Sequence, residues 1–311
     1  MKKSFRSTLI DTVMKSAGDY DNLVVLNADS ARALKLTGFT EAWPDRMFGV
    51  GISEADMIGT AAGMAAAGLL PLIVGFSMFV SEKPFEQIRQ AVAYPNLNVK
   101  IIATHSGLCV GQDGATHQAL EDIAVMRTLP NFKVFAAADV TETKAAVEAM
   151  LKHEGPAYLR LGRDLAEDIF DENKSFYPGG ADVLREGADV TIAACGLMVE
   201  QALLAASALR SAGIHATVLN TYSIKPLPED LLLDRAKKTK AFVTAEDHSV
   251  TGGLGSAVSE YLSQTCPVPV IRVGVEDCFG ESGTQDELYQ KYGLTADHIV
   301  DAARRAISMK A

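Results

Sequence analysis

The chain has 311 residues, of which 48% are hydrophobic and 22% charged, with a formal net charge of −10. That is globular composition with room for a full core, at one to three domains. The acidic balance argues against a nucleic-acid-binding protein, which would present a basic face. The N-terminal stretch MKKSFRSTLIDTVMKSAG has lysines but no apolar run behind them, so no signal peptide is expected, and no run of about 18 apolar residues predicts a membrane span. Cys109, Cys195, Cys266 and Cys278 form no C-x-x-C pair and are expected as reduced thiols in a cytoplasmic protein.

In chain order, short β-branched apolar runs alternate with helical stretches. NLVVLNAD (22–29) and RMFGVGI (46–52) predict strands, followed by a helix over ADMIGTAAGMAAAG (55–68). LPLIVGF (70–76) predicts a strand and PFEQIRQAVAY (84–94) a helix. NVKIIATH (98–105), FKVFAAA (132–138) and PAYLRLG (156–162) complete this set of strands. A polar, acidic stretch over 164–180 ends in Pro-Gly-Gly and reads as a linker. The alternation then restarts, with strands over 188–196, 215–222, 240–247 and 267–275 and an amphipathic helix over 199–213. The pattern predicts two consecutive α/β domains, each a mostly parallel sheet flanked by helices: residues 1–168, a linker over 169–185, and residues 186–311.

In such sheets ligands collect beyond the carboxyl ends of the strands. Four groups stand at those positions. Glu54 lies two residues past a strand; Ser53 is placed to cap the helix that follows, with Asp56 at the capping-box position. A carboxylate there either serves the helix dipole or has a chemical task. The loop THSGLCVGQDGATHQALED gathers His105, Asp113, His117 and Gln118 among glycines, a composition suited to proton relay or to a polar turn with solvated histidines. No i, i+4 histidine pair supports a metal site, and no metal ligand is expected in this chain. Phe76 and Phe79 can wall a flat ligand or belong to the core. Arg163, just past a strand end, can bind phosphate or pair on the surface.

Taken together and in this order, these motifs resemble the transketolase family. FGVGISEADMIGTAAGMAAAGLLPLIVGFSMF is similar to its pyrimidine-binding domain, GQDGATHQALED to its G-x-D-G-x-T-H-Q loop, GPAYLRLGR to its strand-plus-Arg element, and AEDHSVTGGLGSAV (245–258) to the opening of its C-terminal domain helix. The resemblance implies a subunit of a thiamine-diphosphate-dependent transketolase that moves a two-carbon ketol unit between sugar phosphates. It implies that Glu54 contacts N1′ of the cofactor's aminopyrimidine, that Phe76 and Phe79 line the ring pocket, and that Asp29 stands on the cofactor side of a dimer interface. It further implies that His105 and His117 assist proton transfer, that Asp113 reads an acceptor hydroxyl, and that Arg163 and Arg6 serve substrate phosphate.

Two positions depart from the family: a phosphate-binding serine corresponds to Ala33, and an aromatic residue three positions after the second Phe corresponds to Glu82. The family's diphosphate and magnesium motif, G-D-G followed by N-N, occurs nowhere in the chain. The expectation is therefore a split enzyme in which an N-terminal transketolase subunit holds Mg2+ and the diphosphate, in an α2β2 heterotetramer. The alternatives are a deoxyxylulose-phosphate synthase-like or 2-oxo-acid dehydrogenase E1 β-type subunit, or a catalytically silent scaffolding partner.

Overall fold

A computed structural model describes residues 3–163 and 165–310. The linker stretch expected from residue 164 thus opens on a position outside the described residues. The first half of the chain lays down β1 (Lys3–Ser4), β2 (Leu23–Asn27), β3 (Met47–Gly49), β4 (Leu70–Phe76), β5 (Lys100–Thr104), β6 (Lys133–Ala136), β7 (Ala157–Arg160) and β8 (Leu165–Ala166). The second half adds β9 (Asp182–Arg185), β10 (Val190–Ala194), β11 (Ala216–Asn220), β12 (Ser223–Lys225), β13 (Phe242–Ser249) and β14 (Val270–Val275).

Among the described residues these strands form a seven-stranded sheet in the order β12-β6-β7-β5-β4-β2-β3, a five-stranded sheet in the order β14-β13-β10-β11-β9, and a small β1-β8 pair. Within the two large sheets every pairing is parallel except β12 on β6 and β9 on β11, each antiparallel at an edge. The two-sheet α/β architecture is the one the alternation predicts. Two edge strands were not foreseen. β9 lies inside the span expected as linker, and β12 comes from the second half of the chain yet closes the sheet of the first.

The central strands are buried on both faces because helices cover both. On β2, Val24 and Leu26 join one apolar cluster while Leu23 and Val25 join another, as the two-residue period of a strand requires. The first cluster also takes in Ala193, Leu219, Phe242 and Leu254 of the second half, so one core runs through both sheets.

The segment after β4 departs from the regular helix expected there. Met78–Glu82 and Ile88–Ala93 are π-helical, separated by a short α-helical turn at Phe85–Gln87. Lys83 N–H reaches back five residues to Met78 O at 3.4 Å. Such widened turns are uncommon and concentrate near functional sites.

The strand order has a switch point between β2 and β4: the chain leaves β2 toward β3 on one side and β4 toward β5 on the other. A crevice opens beyond the carboxyl ends of strands at such a point.

Candidate active site

A cavity of about 290 Å3 lies at the switch point, lined among others by Asp29, Ser30, Glu54, Phe76, Phe79 and Lys83. A larger depression of about 590 Å3, lined by residues such as Arg272, Cys278, Tyr292 and His298, lies beside β14 and shares none of the sequence-predicted site residues. The smaller cavity is the candidate because carboxylate, aromatic walls and cation converge there.

Glu54 opens the helix Glu54–Ala66, where unpaired N–H groups favour a negative charge. The expected cap is not formed: Ser53 makes no side-chain hydrogen bond to the helix, because its φ and ψ of −144° and 71° depart from the usual extended geometry of a capping residue. Glu54 is only 4% exposed, so water does not solvate it. The ammonium of Lys83, half exposed, forms an ion pair with Glu54 Oε2, yet no hydrogen bond of good geometry reaches that buried oxygen. The rings of Phe76 and Phe79 stack with centroids 6.1 Å apart and planes 17° from parallel. A buried carboxylate oxygen short of a donor, beside two near-parallel rings, fits a flat nitrogen heterocycle with one polar edge. Asp29 is exposed at the cavity mouth, with φ of 57° at the end of β2.

The aromatic wall continues into the second half of the site. His105 stacks on Phe76 at 4.0 Å, and His117 meets Phe79 edge-on at 5.1 Å. His105 sits at the end of β5 with φ of 56°, and its Nδ1 shares a 2.8 Å hydrogen bond with Thr104 Oγ1. Burial, with the charges of Arg6, Arg163 and His117 adding to it, pushes the His105 pKa down to about 3. His105 is therefore neutral near pH 7 and exchanges hydrogen bonds, not charge, with whatever lies against it.

Those same cations define a positive corner. Arg163 Nη1 pairs with Asp113 Oδ2 at 3.2 Å and also donates to the Val110 carbonyl. Arg6, on the helix Phe5–Asp19, donates from Nη1 to the Ala33 carbonyl at 3.1 Å. The backbone of the departing position Ala33 thus meets Arg6 without a side-chain oxygen. At the other departure, burial and then the charges of Asp122 and Glu121 push the Glu82 pKa up to about 8. The site residues read from the sequence thus fall into one region: Glu54, Phe76, Phe79 and Asp29 at the cavity, and His105, His117, Asp113, Arg163 and Arg6 beside it.

Sequence reasoning missed two features. Lys83 stands four residues after Phe79, just before the helix predicted over 84–94, and the π-helical turn at Met78–Glu82 is what brings that stretch to the cavity. Beneath the site, Asp122 is fully buried and accepts from Arg160 Nε at 2.9 Å, Tyr158 Oη at 2.7 Å and Ser77 Oγ at 2.9 Å. Tyr158 and Arg160 are two residues apart on β7 and so share a face, which was the available signal. Among the described residues no group of three or more His, Cys, Asp or Glu is arranged to hold a metal ion, and no helix is long and apolar enough to cross a membrane.

Comparison with known proteins finds matches along both halves of the chain. Residues 2–168 match the transketolase, pyrimidine binding domain, and residues 179–299 the transketolase, C-terminal domain. The 6-deoxy-6-sulfo-D-fructose transketolase subunit SqwH of Clostridium sp. (strain MSTE9) is 45% identical over 305 residues, covering 98% of this chain and 95% of that protein. A putative transketolase C-terminal section of Methanocaldococcus jannaschii is 43% identical over 303 residues, covering 96% and 93%. A solved structure described as a split gene transketolase, inactive beta4 tetramer, superposes with a TM-score of 0.93 at 45% identity over 99% of each chain.

Proposed function

We infer that this chain, which belongs to the transketolase family of thiamine-diphosphate enzymes, is the pyrimidine-side subunit of a split transketolase acting on phosphorylated or comparably anionic sugars. The observation that carries this is the convergence of Glu54, Phe76 and Phe79 on one cavity with His105, His117, Asp113 and Arg163 at its side.

The chemistry thiamine diphosphate supplies is stabilisation of carbanion character at a carbonyl carbon. The tasks of this chain's residues follow from their surroundings. Glu54 Oε2 holds the proton of the ring nitrogen facing it, in a low-dielectric wall where that contact is strong. Phe76 and Phe79 exclude water and fix the ring plane. Lys83, half exposed, would be free to give up its Glu54 contact with the cofactor bound. His105, neutral, positions a substrate oxygen by hydrogen bonding, and His117, beside it, moves a proton to or from a substrate hydroxyl. Asp113 accepts from a hydroxyl next to the reacting carbon. Arg163 and Arg6 bind the anionic end of the sugar, Arg163 exchanging its Asp113 contact for the substrate.

Magnesium and the diphosphate belong to a second polypeptide carrying the G-D-G and N-N elements, in an α2β2 assembly. Support comes from the absence of that motif here and from relatives of matching length that are themselves described as a subunit and as a split gene product. The test is reconstitution. The purified chain with thiamine diphosphate and magnesium is expected to show no ketol transfer and no tight, metal-dependent cofactor binding by calorimetry. Both should appear on adding the partner. Turnover by this chain alone would refute the split-enzyme reading. Transfer from pyruvate, in place of a ketose, would move the assignment to a deoxyxylulose-phosphate synthase-like activity.

A further inference from the structure

The loop that carries Asp113 and His117 is glycine-rich and irregular in its backbone path. It leaves β5 through His105, turns through a 3-10 stretch at Gly107–Asp113, and visits positive φ at Gly107, Gly111 and Gly114. The 3-10 stretch is held by its own short-range turns, and Gly107 N–H to Ala119 O, Gly114 N–H to Gly111 O and His117 N–H to Gly114 O close the rest of the loop. The N–H groups that open such a helical stretch have no partner within it, and left buried and unpaired they are costly, so they need acceptors from outside it.

The acceptors come from the far end of the chain. Leu108 N–H donates to Asp247 Oδ1 at 2.8 Å and Cys109 N–H to Asp247 Oδ2 at 3.3 Å. Asp247 lies on β13 of the five-stranded sheet and is 3% exposed. Its Oδ2 also accepts the Tyr289 hydroxyl at 2.8 Å, a third bond that holds the carboxylate against the two amides. The approach is so close that a Cβ on Gly107 would fall 2.4 Å from Asp247 Cγ, and one on Gly114 would fall 2.6 Å from Ser282 Oγ. Gln118, at the end of the loop, donates from Nε2 to Glu281 O at 2.9 Å. The Leu108 side chain is fully buried in the apolar cluster of the second sheet, not of the first.

Packing of two domains needs only apolar contact. A buried carboxylate that takes two consecutive amides at the start of a loop's 3-10 stretch does more, because charge-assisted bonds to backbone N–H fix direction as well as distance. We propose that Asp247 and Tyr289 are positioning residues for the substrate loop, and that the role of the C-terminal domain in the reaction is to hold Asp113 and His117 in register with the cavity. This rests on the transketolase reading of that loop. Neither residue touches the reacting atoms; each acts through the loop backbone.

The test uses the full chain and then the reconstituted enzyme. Tyr289→Phe removes one hydroxyl from a buried site and keeps the ring. Amide exchange over residues 107–118 is expected to rise about tenfold, the size of losing one hydrogen bond to a charged acceptor. Exchange in the helix Met198–Ser211 should stay unchanged. Asp247→Asn, which keeps one acceptor oxygen, should give the same local pattern. In the reconstituted enzyme the KM for the acceptor sugar should rise several-fold more than kcat falls, since a misplaced loop loses binding first. Unchanged loop exchange in both variants overturns the proposal. So does a rise that spreads evenly through the second sheet, which would mark general destabilisation. If the wild type shows no ketol transfer while the exchange pattern appears as expected, the clamp stands and the transketolase reading falls.

Discussion

The two halves of the site are built in opposite ways. The Glu54 side is made from neighbours in sequence: a strand end, a helix start, and two phenylalanines one turn apart, all within Phe48–Lys83 and all on the first sheet. The Asp113–His117 side is an irregular loop held from more than a hundred residues away: Asp247, itself fixed by Tyr289, takes two of its amides, and Glu281 O accepts from the Gln118 side chain. A binding pocket for a rigid ring can be assembled locally, because packing alone fixes its walls. A loop that must read several hydroxyls needs glycines to reach its shape and a distant scaffold to keep it.

The contrast can be broken first at Glu54. Glu54→Gln keeps shape and removes the acid, so the reconstituted enzyme should lose at least about 10² in kcat, the low end for a positioned proton-transfer group. Thermal unfolding should barely move. Turnover within a few-fold of wild type would make Glu54 a helix-dipole residue and nothing more.

On the loop side the expected signature is binding, not turnover. Arg163→Ala removes the cation that now pairs with Asp113. KM for a phosphorylated sugar should rise by roughly tenfold or more, as for loss of a charge-assisted hydrogen bond, with kcat little changed. Equal losses for phosphorylated and unphosphorylated substrates would make Arg163 structural.

The smallest effect sharpens the boundary between the halves, where His105 sits. In the unfolded chain this histidine takes a proton near pH 6.5, whereas in the fold it stays neutral down to about 3. The unfolded state thus binds the extra proton in that window, and stability falls as pH drops below about 6.5. Between pH 7 and 5.5 the loss should be about 1 kcal/mol. His105→Gln should flatten that part of the urea-denaturation profile; an unchanged slope would show that burial does not set the protonation of His105.

Local signals made the first half readable. Glu54 two residues past a strand, F-x-x-F at a strand end, and a glycine-rich loop with two histidines are all patterns within a window of a few residues, and the alternation of strands and helices carried the architecture. Lys83 had a spacing signal only to Phe79; its contact with Glu54 joins two segments about thirty residues apart, which no spacing rule connects. Asp247 escaped for a stronger reason. The segment AEDHSVTGGLGSAV shows a carboxylate near a strand end, but its targets are the backbone amides of Leu108 and Cys109, which leave no mark in side-chain identity. The edge strands β9 and β12 are four and three residues long, too short for periodicity to register.

The placement of β12 has a bearing on how the protein comes into being. Synthesis proceeds from the N-terminus, so β6 leaves the ribosome some ninety residues before the strand that pairs with it at Ser223↔Phe135 and Lys225↔Val134. Through that interval the growing sheet presents a raw row of backbone donors and acceptors, the surface on which nascent chains stick to one another. The first sheet cannot be finished until most of the second domain's sequence has emerged. Folding of the two halves is therefore interlocked in time as well as in space, and a chain severed between them would yield not an autonomous module but a sheet with an unguarded edge.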